Sequence, residues 1–75
     1  MKALIVDNEA PIRDGMVAMV RAFCPEITEI HEAVGVADGL AKISAQQPEI
    51  VFLDVEMDDG TGIDLLEKLG TISFQ

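Results

Sequence analysis

Runs of apolar residues that end at aspartates alternate along the chain with stretches whose apolar residues recur at helical spacing. Ala3 to Val6 reads Ala-Leu-Ile-Val and stops at Asp7, as a parallel strand buried on both faces would. Pro11 suits a first helical turn, where no backbone N–H is needed. Ile12, Met16, Met19, Val20 and Phe23 then recur at helical spacing up to Pro25, predicting a helix with this stripe against the core. Ile27 to Ala33, where Thr28 and Ile30 partly alternate with acids, predicts a short second strand near a sheet edge. Gly35 reads as a turn. Val36, Leu40 and Ile43 mark a second helix, weakened slightly by Gly39 and ending near Gln46 and Gln47 before Pro48. Glu49 to Val55 is the strongest strand signal and predicts a third strand at the centre of the sheet. Asp58-Asp59-Gly60-Thr61-Gly62 reads as a loop whose glycines serve turning. Ile63, Leu66 and Leu69 then line a third helix that Gly70 can cap.

A βαβαβα succession with right-handed crossovers predicts an α/β fold, a doubly wound parallel sheet with helices on both faces. If the first strand lies between the second and third, the ends of strands one and three are neighbours. Their aspartates, Asp7 and Asp54, then converge at the carboxyl edge.

Composition narrows the function classes. Fourteen acids against five Lys and Arg give a formal charge of -9 over 75 residues, which argues against this chain gripping a nucleic-acid backbone by itself. The single cysteine, Cys24, can form no internal disulfide and reads as a small buried or boundary hydrophobe. No secretory pattern is present, and no apolar run approaches the roughly 18 residues of a membrane span, so the expected setting is cytoplasmic and reducing, with no membrane partner.

The acids gather at two strand ends: Asp7 with Glu9, and Asp54 with Glu56, Asp58 and Asp59. A carboxylate in a packed sheet edge is costly unless a cation or a ring of donors meets it. Magnesium, which takes six oxygens, would accept Asp7, Asp54 and a loop carbonyl near Glu56 as a half-shell. The competing reading has Asp7 and Asp54 capping the elements that follow them. Asp54, after the most apolar strand, is the better nucleophile candidate, and Asp7 then serves as a metal ligand. Asn8 keeps an acceptor oxygen but brings no charge. Glu9 is either a favourable charge at a helix N-terminus or a further ligand. His31, without a companion Cys or His, reads as a surface or boundary residue, and Glu26, Glu29, Glu32, Asp38, Asp64 and Glu67 read as solvated charges.

The segments Leu4-Ile5-Val6-Asp7-Asn8-Glu9 and Val51-Phe52-Leu53-Asp54-Val55-Glu56-Met57, with Gly62, resemble the receiver domain of bacterial two-component response regulators. Pro11 and Arg13, together with Cys24-Pro25-Glu26-Ile27, look most like LytTR-class (LytR/AlgR-like) receivers, whose second domain binds DNA. The resemblance implies a flavodoxin-like (CheY-like) fold in which Asp54 accepts a phosphoryl group from a sensor histidine kinase. Asp7, Asn8, Asp54 and the backbone carbonyl of Glu56 would hold Mg2+. It implies a phosphoacceptor with at most slow self-dephosphorylation, not a turnover enzyme.

Two departures stand out. Asn8 occupies a position where the family usually has a second acid, which predicts weaker metal affinity. Asp58 replaces the proline that usually follows the methionine, which predicts either a freer loop or a different turn stabilised by the Asp58 side chain. The resemblance covers the whole chain but only the first three of the family's five βα units, so residues 1–75 read as the N-terminal part of a receiver whose switch hydroxyl, lysine and output domain lie elsewhere. Thr71, Ser73 and Lys68 do not substitute for them. A third strand with an open edge then predicts self-association. Two other readings use the same residues. One is a phosphorylation-independent pseudo-receiver acting through protein contacts, and the other a small magnesium-dependent phosphatase with Asp54 as nucleophile.

Overall fold

β1 (Lys2–Val6) lies between β2 (Glu29–Ala33) and β3 (Ile50–Leu53), parallel to both, in a computed structural model that describes residues 1–75. Having a strand on each side and helices on each face explains why β1 is uninterruptedly apolar. Ala3, Leu4 and Ile5 are 0% exposed and Val6 1%. Its side chains alternate between two cores. Leu4 and Val6 join Ala33, Val36 and Leu65 beneath α2 (Val36–Gln46) and α3 (Gly62–Leu69). Ala3 and Ile5 join Val20 and Ile27 beneath α1 (Ala10–Phe23). Each fully buried Leu or Ile contributes about 1.5–3 kcal/mol relative to exposure. The doubly wound arrangement and the strand order follow the sequence reading.

The third strand, however, is not central. All four residues of β3 are only half-buried, because β1 flanks it on one side and no full strand flanks it on the other. On that outer side the chain's last residue docks: the Gln75 N–H donates to Glu49 O at 3.0 Å, and the Val51 N–H donates to Gln75 O at 2.6 Å. This exchange is that of a parallel bridge, one residue long. Beyond it the edge of β3 has no neighbouring strand.

The stripe on α1 also differs from expectation. Val20 is buried and Met16 half-buried, but Ile12, Met19 and Phe23 are exposed. The inward face runs through Met16, Val17, Val20 and Cys24, because α1 rests on the β1 side of a narrow sheet and has nothing to cover its other flank. Met16, Met19, Phe23, Cys24 and Phe52 instead line a wholly apolar groove, with Cys24 at its half-buried boundary. β2 begins at Glu29, two residues later than the apolar pattern suggests, since Ile27 is buried before the strand starts.

Gly39 does more than weaken α2. A Cβ there would lie 2.8 Å from Leu65 Cδ1 and 3.3 Å from Val6 Cγ1, so its absence lets α2 and α3 close over β1.

The loop after β3 contains a small antiparallel hairpin, β4 (Glu56–Met57) with β5 (Gly60–Thr61), which the apolar pattern does not reveal. Gly60, at φ 142°, supplies its turn. No helix is long and apolar enough to cross a membrane.

Candidate functional site

The register of β1 against β3 builds the site. Val6 pairs with Leu53, and the next residue of each strand is an aspartate. The Asp54 N–H donates to Val6 O at 3.0 Å and the Asp7 N–H to Ala33 O at 3.0 Å, so both acids leave the sheet on one rung. Asp7, Asn8, Glu9, Asp54, Glu56, Met57 and Asp58 line a single open cleft of about 440 Å³, together with Ile12. The sequence-predicted site residues are thus brought together.

Asp7 is 5% exposed, and its Oδ1 accepts the Glu9 N–H at 2.8 Å. The capping reading of Asp7 therefore holds for one oxygen, which takes a loop N–H just before α1, while the residue still lines the cleft. Behind it, the Arg13 guanidinium donates through Nη1 to Asp7 O at 2.7 Å and through Nε to Glu32 Oε1 at 3.1 Å. Arg13 fixes the backbone at the strand end without neutralising the cleft, and it gives Glu32 a partner that the solvated-charge reading did not foresee. Glu9 is the N-cap residue of α1 but makes no side-chain cap bond. His31 sits half-buried on β2, its Nε2 2.5 Å from Glu29 Oε2, and takes no part in the site. That contact is the largest influence holding the Glu29 carboxyl below its ordinary value.

Five carboxylates and no Lys or Arg line the cleft. Such a surface favours a cation and repels a bare phosphoryl group. No trio of carboxylate, imidazole or thiol side chains is arranged to hold a metal unaided. The donor set fits a hard divalent ion that takes carboxylate oxygens from Asp7 and Asp54 and fills its remaining positions with carbonyl, water or phosphate oxygens.

The wall of the cleft is tied to the helices on either side of it by side-chain hydrogen bonds. Asp59 reaches the N-terminus of α2, accepting the Val36 N–H at 2.7 Å and the Ala37 N–H at 3.0 Å. This satisfies two helix-end donors from 22 residues away or more. Gly35 leaves room for it, since a Cβ there would lie 2.6 Å from Asp59 Oδ1. At the other end of the hairpin, Thr61 Oγ1 accepts the Asp64 N–H at 3.1 Å, and Asp64 Oδ2 accepts the Thr61 N–H at 2.9 Å, a reciprocal capping box that opens α3. Asp64 is thus a capping residue as well as an exposed charge. The spacing Thr61-x-x-Asp64 signals this box in the sequence, whereas nothing local marks Asp59 as the cap of a distant helix.

The backbone N–H groups, Ala37 first and then Val36, hold the Asp59 carboxyl below its ordinary value of 3.8. A carboxyl lowered on folding adds stability that is complete above its unfolded value and is lost as pH falls through the lower folded one. Asp59→Asn is accordingly expected to melt below the parent at neutral pH, with the gap closing as pH falls through 3.8 and below. Thermal melts of both proteins across that range check it, and a gap that widens in acid would contradict the tie.

Residues 3–73 match the response regulator receiver domain family. The chain belongs to that family. This receiver is 38% identical over 69 residues to the sensory transduction protein LytT of Enterococcus faecalis. It is 36% identical over 69 residues to the DNA-binding transcriptional activator DevR/DosR of Mycobacterium tuberculosis, and equally to the sensory transduction protein LytR of Staphylococcus epidermidis. Each match covers 92% of the receiver chain but only 28%, 31% and 27% of the respective relative. The similarity to LytT and LytR bears out the LytTR-class resemblance for the receiver segment. Among solved structures, the N-terminal domain of a response regulator receiver protein from Methanoculleus marisnigri JR1 superposes with a TM-score of 0.81 at 27% identity, over 93% of this chain and 55% of that one. The MaeR response regulator bound to beryllium trifluoride gives a TM-score of 0.85 at 23% identity, over 93% of this chain and 57% of that one, a likeness of fold. The receiver fold expected from the sequence is the fold observed.

Proposed function

We propose that this receiver takes a phosphoryl group from a sensor histidine kinase onto Asp54, as part of a longer response regulator that acts on transcription through a DNA-binding domain. The observation that carries the reading is the β1–β3 register, which sets Asp7 and Asp54 side by side in a carboxylate-lined cleft. Asp54 is half-buried at the end of β3, where an oxygen can meet an incoming phosphorus from the open side of the cleft. An Asp54 oxygen forms a bond to phosphorus, the phosphorus–nitrogen bond of the donor phosphohistidine breaks, and the electron pair stays with the imidazole. Asp7, Asp54, Asn8 and the Glu56 carbonyl would hold Mg2+. When bound, the ion offsets the repulsion between the carboxylates and the phosphoryl oxygens. Arg13 holds the Asp7 backbone in place during the transfer.

The cleft offers no basic side chain to bind and turn over a phosphomonoester unaided. The phosphoacceptor reading, with at most slow self-dephosphorylation, therefore ranks above a phosphatase. Cytoplasmic placement accords with a kinase donor. Where no further strand of the longer protein covers it, the outer side of β3 supports self-association through that edge, moderated by the net charge of -9.

The test is phosphorylation with a small-molecule phosphodonor and magnesium, read by intact mass under acidic handling. A hydroxylamine-labile gain of one phosphoryl group is expected in the parent, with loss of at least a hundredfold in Asp54→Asn. The same labile modification persisting in Asp54→Asn would remove the assignment. Partner binding indifferent to both phosphodonor and Asp54 would favour the pseudo-receiver.

A further inference from the structure

The backbone carbonyl of Asp7 receives no backbone N–H. The Asp7 N–H belongs to the sheet, on Ala33 O, but the residue four places on, which would bond back to Asp7 O as α1 begins, is Pro11 and has no N–H. Asp7 is 5% exposed, and a buried carbonyl that nothing meets is costly. The half-buried Arg13, one turn into α1, fills the gap: Nη1 donates to Asp7 O at 2.7 Å while Nε donates to Glu32 Oε1 at 3.1 Å. We propose that Arg13 and Glu32 act as one positioning unit for the phosphoacceptor cleft. Glu32, on β2 and outside the cleft, aims the guanidinium that holds Asp7 in place beside Asp54; this rests on the phosphoacceptor reading given above.

The guanidinium is a planar fork, so a bond from Nε to Glu32 fixes the direction in which Nη1 points. The anchor is itself held. Glu32 pairs with Ile5 across the β1–β2 ladder, and its carbonyl accepts the Lys42 ammonium of α2. The effect on the cleft passes through one peptide. Turning the Asp7–Asn8 peptide would carry off the Glu9 N–H that holds Asp7 Oδ1 at 2.8 Å, and with it the orientation of the carboxyl that lies on the same rung as Asp54. Neither Arg13 nor Glu32 lines the cleft, so both act through Asp7 and neither touches the reacting atoms.

The test follows the rate at which a small-molecule phosphodonor with magnesium labels the 75-residue chain, read by intact mass. Circular dichroism confirms the fold of each variant, and thermal melts rank their stabilities. Arg13→Ala is expected to label about tenfold more slowly than the parent, a loss of the size that misplacement near a reacting centre brings. Glu32→Gln keeps an acceptor oxygen for Nε and is expected to stay within about twofold of the parent, whereas Glu32→Ala slows labelling by about threefold or more. Arg13→Ala combined with Glu32→Ala is expected to label no more slowly than Arg13→Ala alone, since Glu32 acts only through the guanidinium. Val17→Ala, cut from the core beneath the same helix, is the control for stability: its melting temperature falls and its labelling rate stays parental. Parental labelling by Arg13→Ala, with loss in Asp54→Asn, overturns the positioning role and leaves the acceptor assignment standing. Additive losses overturn it too, as does a Val17→Ala rate that falls as far as that of Arg13→Ala for the same drop in melting temperature. Where Arg13→Ala does not fold, equal rates for Glu32→Ala and Glu32→Gln overturn the pairing. If the parent shows no labelling that depends on Asp54, both readings fall.

Discussion

Gly62→Ala is expected to destabilise the domain by about 1–3 kcal/mol and to displace Asp54. An added Cβ would lie 2.6 Å from Asp54 O and 3.0 Å from Leu53 Cγ. The nearest obstacle is backbone, and it has little room to retreat, because the same segment receives the Gly62 N–H at Val55 O, 2.9 Å away, and is fastened to β1 through the Asp54 N–H. Relief must come from the first turn of α3 moving off the end of β3, which breaks the bond to Val55 and tilts the residue that would carry the phosphoryl group. A chain of this length has a total stability of roughly 4–11 kcal/mol at typical values per residue, so the loss is a sizeable share. Urea titration of the two proteins measures it, and labelling by the phosphodonor should fall with it. An alanine variant with the parental midpoint would show that α3 does not bear on Asp54.

Leu65→Ala is expected to cost more, about 2–5 kcal/mol, because Leu65 is fully buried between both helices of its face and β1. The more discriminating experiment pairs it with Gly39→Ala. Alone, the Gly39 substitution gains helix propensity of about 0.8–1 kcal/mol but meets Leu65 Cδ1 at 2.8 Å, so its net effect is expected to be small or unfavourable. With Leu65 already truncated, that obstruction disappears and the new methyl enters the vacated space. The same substitution should then stabilise by about 1 kcal/mol or more. A double-mutant cycle in urea gives the coupling directly; additivity of the two changes would show that α2 and α3 do not meet at this point.

The parts of the fold that were legible in the sequence are those set by short-range pattern. Ala3 to Val6 announces a strand enclosed on both faces, and the Asp7 and Asp54 strand ends, once the order of strands is granted, announce a shared cleft. Helix boundaries followed Pro11, Gly35 and Pro48 closely. What escaped depends on partners remote in sequence. Apolar character shows that β3 suits burial, and the count of three βα units already implied its open edge; what the local pattern lacks is the extent of cover, which leaves all four residues half-buried. Phe23 and Met19 fit the α1 stripe and lie in the open for the same reason. Gly62 was visible as part of a motif and read as a turning residue. Its role is closeness to Asp54 O, a distance that no local pattern contains. Asp58 and Asp59 are adjacent and alike in sequence, yet one faces the cleft and the other caps a helix.

The alternation of β1 between its two cores has a further consequence for error. Ala3 and Ile5 fill one side and Leu4 and Val6 the other, so sliding the strand by a single residue would hand each compartment the wrong set of volumes. The same slip would take Asp7 out of step with Asp54. Misalignment and loss of the acidic pair are thus one event, and the packing of four apolar side chains acts as a proofreader for the chemistry at the strand's end.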